Sequence, residues 1–155
     1  MITIFFYDTR IGKLGIAEED GQIIAVLFHG ERYDNTWVEK ETPLIKKTNK
    51  QIQEYLDGKR KTFDIPIQHS SASDFFSKVM AIIEEIPYGQ TITYKDIAKS
   101  INRPRASRAV GMVCNRNPIP IIIPCHRVIA TNGSLTGYKG GLDIKKQLLE
   151  MEKSL

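Results

Sequence analysis

The chain has 155 residues, room for one large or two small domains, and its 41% hydrophobic and 26% charged residues describe an ordinary globular protein. No apolar run reaches membrane-spanning length and the start at Met1 lacks the basic region of a signal peptide, which sets membrane and secreted classes aside and implies the cytoplasm. Two cysteines are too few for a disulfide framework, no Cys-x2-Cys or His-x3-His pair offers a zinc site, and the net charge of +4 is compatible with a polyanionic partner without requiring one.

The first third alternates like a small sheet. Ile2, Ile4 and Phe6 share one face, Gly12 and Gly15 punctuate, and a β-branched run from Gln22 to Phe28 follows the hairpin turn Asp20-Gly21. Thr42-Pro43 opens a helix as N-cap and first residue, Leu44, Ile45, Ile52, Tyr55 and Leu56 give it an apolar face, and Gly58 stops it. Residues 57–72 are polar and turn-rich, which places a domain boundary there, with residues 1–70 before it and 71–155 after it.

The second part reads as helical. Ser73 caps a run whose apolar residues Phe75, Phe76, Val79, Met80, Ile83 and Ile86 recur at helical spacing, and Pro87-Tyr88-Gly89 ends it. Thr93-Tyr94-Lys95-Asp96 resembles a capping box for a short helix through Ser100. After the turn Asn102-Arg103-Pro104, a helix from about Arg105 to Asn115 buries Ala106, Ala109, Val110 and Val113. Two short helices about a tight turn read as a helix-turn-helix, with a plain αα-corner the alternative that the small residues Ala106, Ser107, Ala109 and Gly111 weigh against. Small residues around Arg108 would let the second helix approach a duplex groove. The apolar run Ile119 to Ile123 reads as a strand that meets a turn at Pro124-Cys125-His126-Arg127-Val128. A last helix from about Asp143 to Lys153 turns Ile144, Leu148 and Met151 inward, with Glu152 beside that face. The fold class is therefore α/β (α+β): a small N-terminal sheet-plus-helix domain and a helical C-terminal domain carrying the helix-turn-helix.

Two chemical signals stand out. Lys95, Lys99, Arg103, Arg105, Arg108, Arg116 and Arg127 crowd a stretch in which only Asp96 is acidic, and such an excess reads as a phosphate-facing surface or as a solvated helix face. Cys125 and His126 join a thiol to the side chain whose ordinary pKa lies near neutrality. A free thiol is only a few per cent ionised at pH 7, and a neighbouring histidine is the commonest remedy, although most free cysteines are buried small hydrophobes.

With Pro-Cys-His-Arg-Val following a basic helix-turn-helix, the chain resembles the O6-alkylguanine-DNA alkyltransferases, also called methylated-DNA–protein-cysteine methyltransferases. The likeness spans nearly the whole length: Tyr55 to Arg60, Ile86 through Tyr94, Arg108 to Gly111, Asn117 to Pro120, Pro124 to Val128, and Gly137-Tyr138 with Gly140-Gly141 fall in the family's order. The resemblance implies a nucleophile at Cys125, polarised by His126, which reaches Glu152 through a water. Asn117 would brace the backbone and Tyr94 would protonate the departing guanine. The Val128 carbonyl would accept from the guanine amine, Tyr138 would wall the pocket, and the Lys139 amide would contact the guanine oxygen. Arg108 would fill the gap left by an extruded nucleotide, and Lys95, Arg103 and Thr131 would position the DNA.

The same resemblance implies single-turnover alkyl transfer from O6-alkylguanine, with O4-alkylthymine a further substrate, by a monomer on double-stranded DNA through the minor groove. It needs no cofactor and no metal. Such a relay would hold the Cys125 thiol below the usual value. Lys139 departs from a frequent serine, and Ser77 and Met80 replace a common glutamine and tryptophan. A DNA-binding module without covalent chemistry and a cysteine hydrolase using Cys125, His126 and Glu152 are the other two classes these residues allow.

Overall fold

In the computed structural model, which describes residues 1–69 and 72–153, the hairpin dipeptide Asp20-Gly21 takes left-handed backbone (φ 50° and 78°), the twist that a two-residue loop needs. It joins β2 (Gly12–Glu19) to β3 (Gln22–Leu27), and β2 also pairs antiparallel with β1 (Ile2–Thr9). A two-residue β4 (Val38–Glu39) adds to β1 in parallel, giving the order β3-β2-β1-β4. Gly15 does not interrupt the sheet but lies inside β2. A Cβ there would stand 2.8 Å from the Phe6 ring, so only glycine lets that ring lie flat on the strand.

Helix α1 (Pro43–Leu56) begins as the sequence dictates, with the Thr42 hydroxyl accepting from the Ile45 amide and Pro43 in the first turn. It lays buried Ile45, Ile52, Tyr55 and Leu56 against the sheet strands. Buried Gln51 completes this unit, its side-chain oxygen accepting from the Asp64 amide at 2.9 Å and so holding the polar segment after the helix.

The first compact unit comprises residues 1–68 together with Pro118–Ile122, and the second comprises residues 69–117 and 123–155, of which 69, 72–117 and 123–153 are described. Pro118 joins the first unit through its carbonyl, which accepts from the Val26 amide at 2.9 Å.

In the second unit, α2 (Asp74–Glu84) is capped by Ser73, whose hydroxyl accepts from the Phe76 amide, and buries Phe76, Val79, Met80 and Ile83. α3 (Tyr94–Ser100) is capped by Thr93, and α4 (Ser107–Asn115) follows a turn in which Asn102 supplies the left-handed residue (φ 61°). These two helices pack together as the helix-turn-helix. α4 starts two residues later than expected because Pro104 and Arg105 remain in the turn.

Two features of this unit lie outside the helical expectation. β5 (Ile92–Thr93) pairs in parallel with β6 (Val128–Ile129), matching Ile92 to Val128. The pair is too short to show in a periodicity. The last helix, α5 (Leu142–Lys153), buries Lys145, Leu148, Leu149 and Glu152, while Ile144 and Met151 are only half-buried at its edges. Its inward stripe is rotated by one residue from the expected one because two of its members are charged. No helix among the described residues is long and apolar enough to cross a membrane.

Candidate active site

The apolar run before the cysteine is not the expected strand. Residues 119–123 turn, and Ile121 takes φ 73°, a conformation that a β-branched residue adopts only under constraint. Asn117 supplies part of that constraint. Fully buried, it donates from Nδ2 to the Ile123 carbonyl at 2.9 Å, clamping together the two ends of the excursion through 118–122. Pro124 then starts a single 3-10 turn, Cys125–Arg127, and all three of its residues are buried. The backbone is thus turn-like where Cys125 and His126 stand side by side, as their cooperation requires.

Glu152 reaches this turn from α5. Its carboxylate accepts from His126 Nε2 at 2.7 Å, from Arg127 Nε at 2.9 Å and Nη2 at 3.0 Å, and from the Gly89 amide at 3.1 Å. The histidine therefore meets Glu152 directly, without the expected intervening water. Arg127 is likewise not part of a phosphate-facing surface. Its guanidinium grips both carboxylate oxygens, gives Nη1 to the Ile86 carbonyl at 2.7 Å and lies 5.6 Å from the Tyr88 ring centroid. Burial holds the His126 pKa below its ordinary value, against the upward pull of Glu152, so its bond to the carboxylate is that of a neutral N–H.

Behind the turn lies Lys145, fully buried, with Nζ donating to the Val128 carbonyl at 2.8 Å, the Thr136 carbonyl at 3.1 Å and the Tyr94 hydroxyl at 3.4 Å. The β5–β6 pair explains this meeting, since it sets Thr93, and so the start of α3, beside the strand that leaves the cysteine turn. Thr136 also donates to the Tyr94 hydroxyl at 3.1 Å, and burial raises the phenol's pKa. The Val128 carbonyl therefore already carries one hydrogen bond, leaving its second lone pair for any further donor.

Cys125 lies at the centre and is 3% exposed. Burial pushes its thiol up, opposed by a hydrogen bond from the Asn117 side chain and by the charges of Lys145 and Lys139. The expectation of a depressed thiol pKa is overturned: desolvation outweighs the donors, and His126 is neutral. Cys114, also buried, is pushed up to about 12 chiefly by burial. Among the described residues no cluster of three or more His, Cys, Asp and Glu could hold a metal.

Of the remaining expected residues, Tyr138 and Lys139 are half-buried, and Lys139 Nζ donates to the Asn117 carbonyl at 3.2 Å. Lys95, Arg103, Arg108 and Thr131 are exposed and form no part of the buried cluster, and the Arg103 guanidinium lies 5.8 Å from the Phe75 ring centroid. Arg127 and Lys145 are the site residues that sequence reasoning missed. Their signal was present: a cation inside the cysteine motif, and a lysine seven positions before Glu152 on one helix stripe.

The family model for the 6-O-methylguanine DNA methyltransferase DNA binding domain matches residues 74–154, which hold all of this cluster. The chain belongs to that family. The model for the 6-O-methylguanine DNA methyltransferase ribonuclease-like domain matches residues 3–69. Among the family's curated members, the chain is 43% identical to a methylated-DNA–protein-cysteine methyltransferase of Methanosarcina acetivorans over 152 residues, covering 96% of each. It is 42% identical to the constitutive one of Bacillus subtilis over 154 residues, 94% of this chain and 92% of that protein. Among solved structures, the Mycobacterium tuberculosis O6-methylguanine methyltransferase superimposes with a TM-score of 0.89 at 36% identity, over 99% of this chain and 94% of that one. The M. tuberculosis OGT in complex with DNA gives 0.90 at 36% identity over 98% of this chain and 93% of that one.

Proposed function

We propose that this protein repairs DNA by moving one alkyl group from O6 of guanine to the sulfur of Cys125. The observation that carries the reading is the buried Cys125–His126–Arg127 turn clasped by Glu152, in a chain that family models match in both parts. A sulfur–carbon bond forms as the O6–carbon bond breaks. The thiol proton passes to His126, whose Nε2–H donation to Glu152 assigns the lone pair to Nδ1, and Glu152 then balances the imidazolium. Guanine recovers a proton from the Tyr94 hydroxyl, behind which stands the Lys145 ammonium. The donor is the lesion itself, so no cofactor enters the balance, and the thioether has no leaving group. Each molecule acts once.

A thiol held neutral in the resting protein suits this economy. Cys125 stays unreactive until substrate brings donors and a leaving group together with it, and Asn117, Lys145 and Lys139 already favour the anion. Residues 71–155 serve as the DNA-binding and alkyl-acceptor part and residues 1–70 as a structural part, in a cytoplasmic monomer. Arg108, exposed on α4, fills the gap left by the extruded nucleotide, while Lys95, Arg103 and Thr131 contact the backbone. Val128, Tyr138 and Lys139 line the base pocket.

The test is intact mass and peptide mapping after incubation with a duplex bearing O6-methylguanine. One methyl on Cys125, absent from Cys125→Ala, is the expected result. A methyl on Cys114, or an unchanged mass with retained lesion binding, would overturn the assignment.

A further inference from the structure

The outward stripe of α4 contains one residue that charge does not explain. Arg108, Met112 and Arg116 follow at intervals of four and all are exposed, while Val110, Val113 and Cys114 on the opposite side are buried. Met112 is 49% exposed, one of few large apolar side chains open to solvent among the described residues. Its neighbours on the stripe lead towards the pocket. A Cβ on Gly111 would stand 3.8 Å from the Tyr94 ring, and one on Gly137 would stand 3.8 Å from Asn115 Nδ2. In the four-residue spacing of this face an unbranched thioether thus falls between two arginines, Arg108 on the second helix of the helix-turn-helix and Arg116 at its C-cap. Arg103 and Arg105, also exposed, flank that helix at its start.

Charge and chemistry select the occupant. A basic ridge suits a polyanion, and the sugars and base edges lining a DNA minor groove give an apolar side chain something to bury against. Proteins that bend or open duplexes through that groove use Phe, Leu, Ile or Met as wedges between base steps. Methionine suits such a place because its flexible, polarizable chain adapts to many local shapes. The four-residue interval sets Met112 about 6 Å along the helix axis from Arg108, close to two steps of about 3.4 Å along a DNA strand.

We infer that Met112 is an apolar minor-groove wedge that holds the duplex open beside the position vacated by the flipped nucleotide and occupied by Arg108. The inference rests on the proposed reading of α4 as the helix that meets DNA. Met112 is a positioning residue here: it stabilises the extruded state and touches neither the sulfur nor the alkyl group. It carries no charge, so it adds no counterion release.

Met112→Ala separates these terms, since alanine is the better helix former and the position is exposed. Three quantities are read for wild type and variant: the ratio of repair rates for duplex O6-methylguanine and free O6-benzylguanine, the fluorescence of 2-aminopurine at the target position, and the salt dependence of duplex affinity. Half the burial of a methionine predicts a fall of roughly three- to tenfold in the rate ratio. The 2-aminopurine signal should fall with it, and the salt slope should stay unchanged. Lys95→Ala, the comparator that removes a backbone contact, should lower the slope by about one. Met112→Lys should retain duplex affinity while lowering extrusion, because it adds charge and removes the wedge. An unchanged rate ratio and 2-aminopurine signal in Met112→Ala, beside a wild type that repairs the duplex, would overturn the inference alone. A wild type that transfers no alkyl group would instead overturn the function beneath it.

Discussion

Glu152→Gln is the sharpest perturbation that the site offers. The carboxylate side chain is 1% exposed and that of Arg127 is 7% exposed, so the pair is a buried one, gripped in two places and shared with His126 and the Gly89 amide. Glutamine keeps the shape but removes the charge and turns one acceptor oxygen into a donor nitrogen, which faces an Arg127 N–H in either orientation, with the Gly89 amide or His126 beside it. The guanidinium is left inside the protein with the Ile86 carbonyl, the Tyr88 ring and a neutral amide, and no counter-charge among them. Removing one partner of a buried pair costs about 3–5 kcal/mol, because the other charge stays desolvated. At about 2–4 °C per kcal/mol for a protein of this size, the midpoint should fall by roughly 6–20 °C. The assay is chemical and thermal unfolding followed by circular dichroism, with the alkylation rate measured well below the lowered midpoint. The double variant Glu152→Gln with Arg127→Met should recover part of the loss, since it removes the orphaned charge. A midpoint within about 2 °C of wild type, or a double variant less stable than the sum of the two single changes, would refute the reasoning.

Three further outcomes follow from the same geometry. Because burial holds the Cys125 thiol above its ordinary 9.0, the rate with free O6-benzylguanine should still climb from pH 7 to pH 9, and a plateau below pH 8 would show a relay strong enough to overcome desolvation. Stability should peak between two flanks, read as denaturation midpoints against pH. His126, depressed from 6.5, contributes stability that is intact above 6.5 and lost as pH falls from there towards its folded value; Cys114 and Cys125, raised from 9.0, contribute stability intact below 9.0 and lost as pH rises above it. Asn117→Ala removes one of the two donors to the Ile123 carbonyl, which keeps the Cys125 amide at 2.8 Å, and takes a donor from the sulfur, so it should cost about 0.5–1.5 kcal/mol by urea unfolding and shift the rate profile to still higher pH.

The elements that the sequence foretold are those with a local cause: the Asp20-Gly21 hairpin, the Thr42 and Ser73 caps, the turn at Asn102. The site was legible as a motif but not as a network. A reader of Pro-Cys-His-Arg-Val can name the nucleophile and its neighbour, yet nothing local says that the arginine turns inward to a carboxylate 25 positions away. Lys145 was hidden for the same reason, since a lysine counts as solvated until three oxygens on other segments are seen around it. The missed β5–β6 pair belongs with them, being two residues on each side and dependent wholly on tertiary placement. The thiol pKa was misjudged because the motif displays its histidine but not the depth at which the sulfur lies.

The excursion of Pro118–Ile122 into the first unit bears on how this chain can be taken apart. A cut near residue 70 looks natural in one dimension, yet the downstream fragment would carry five residues whose home is elsewhere, with the Pro118 carbonyl parted from the Val26 amide. Those residues run directly into Pro124 and the cysteine turn. Split-protein reporters, trimmed alkyl-acceptor tags and circular permutants built from this scaffold therefore inherit a threading constraint. The piece bearing the nucleophile needs either its upstream companion in trans or a redesigned bridge between Asn117 and Ile123, which are already joined by a 2.9 Å hydrogen bond from the Asn117 side-chain amide to the Ile123 carbonyl.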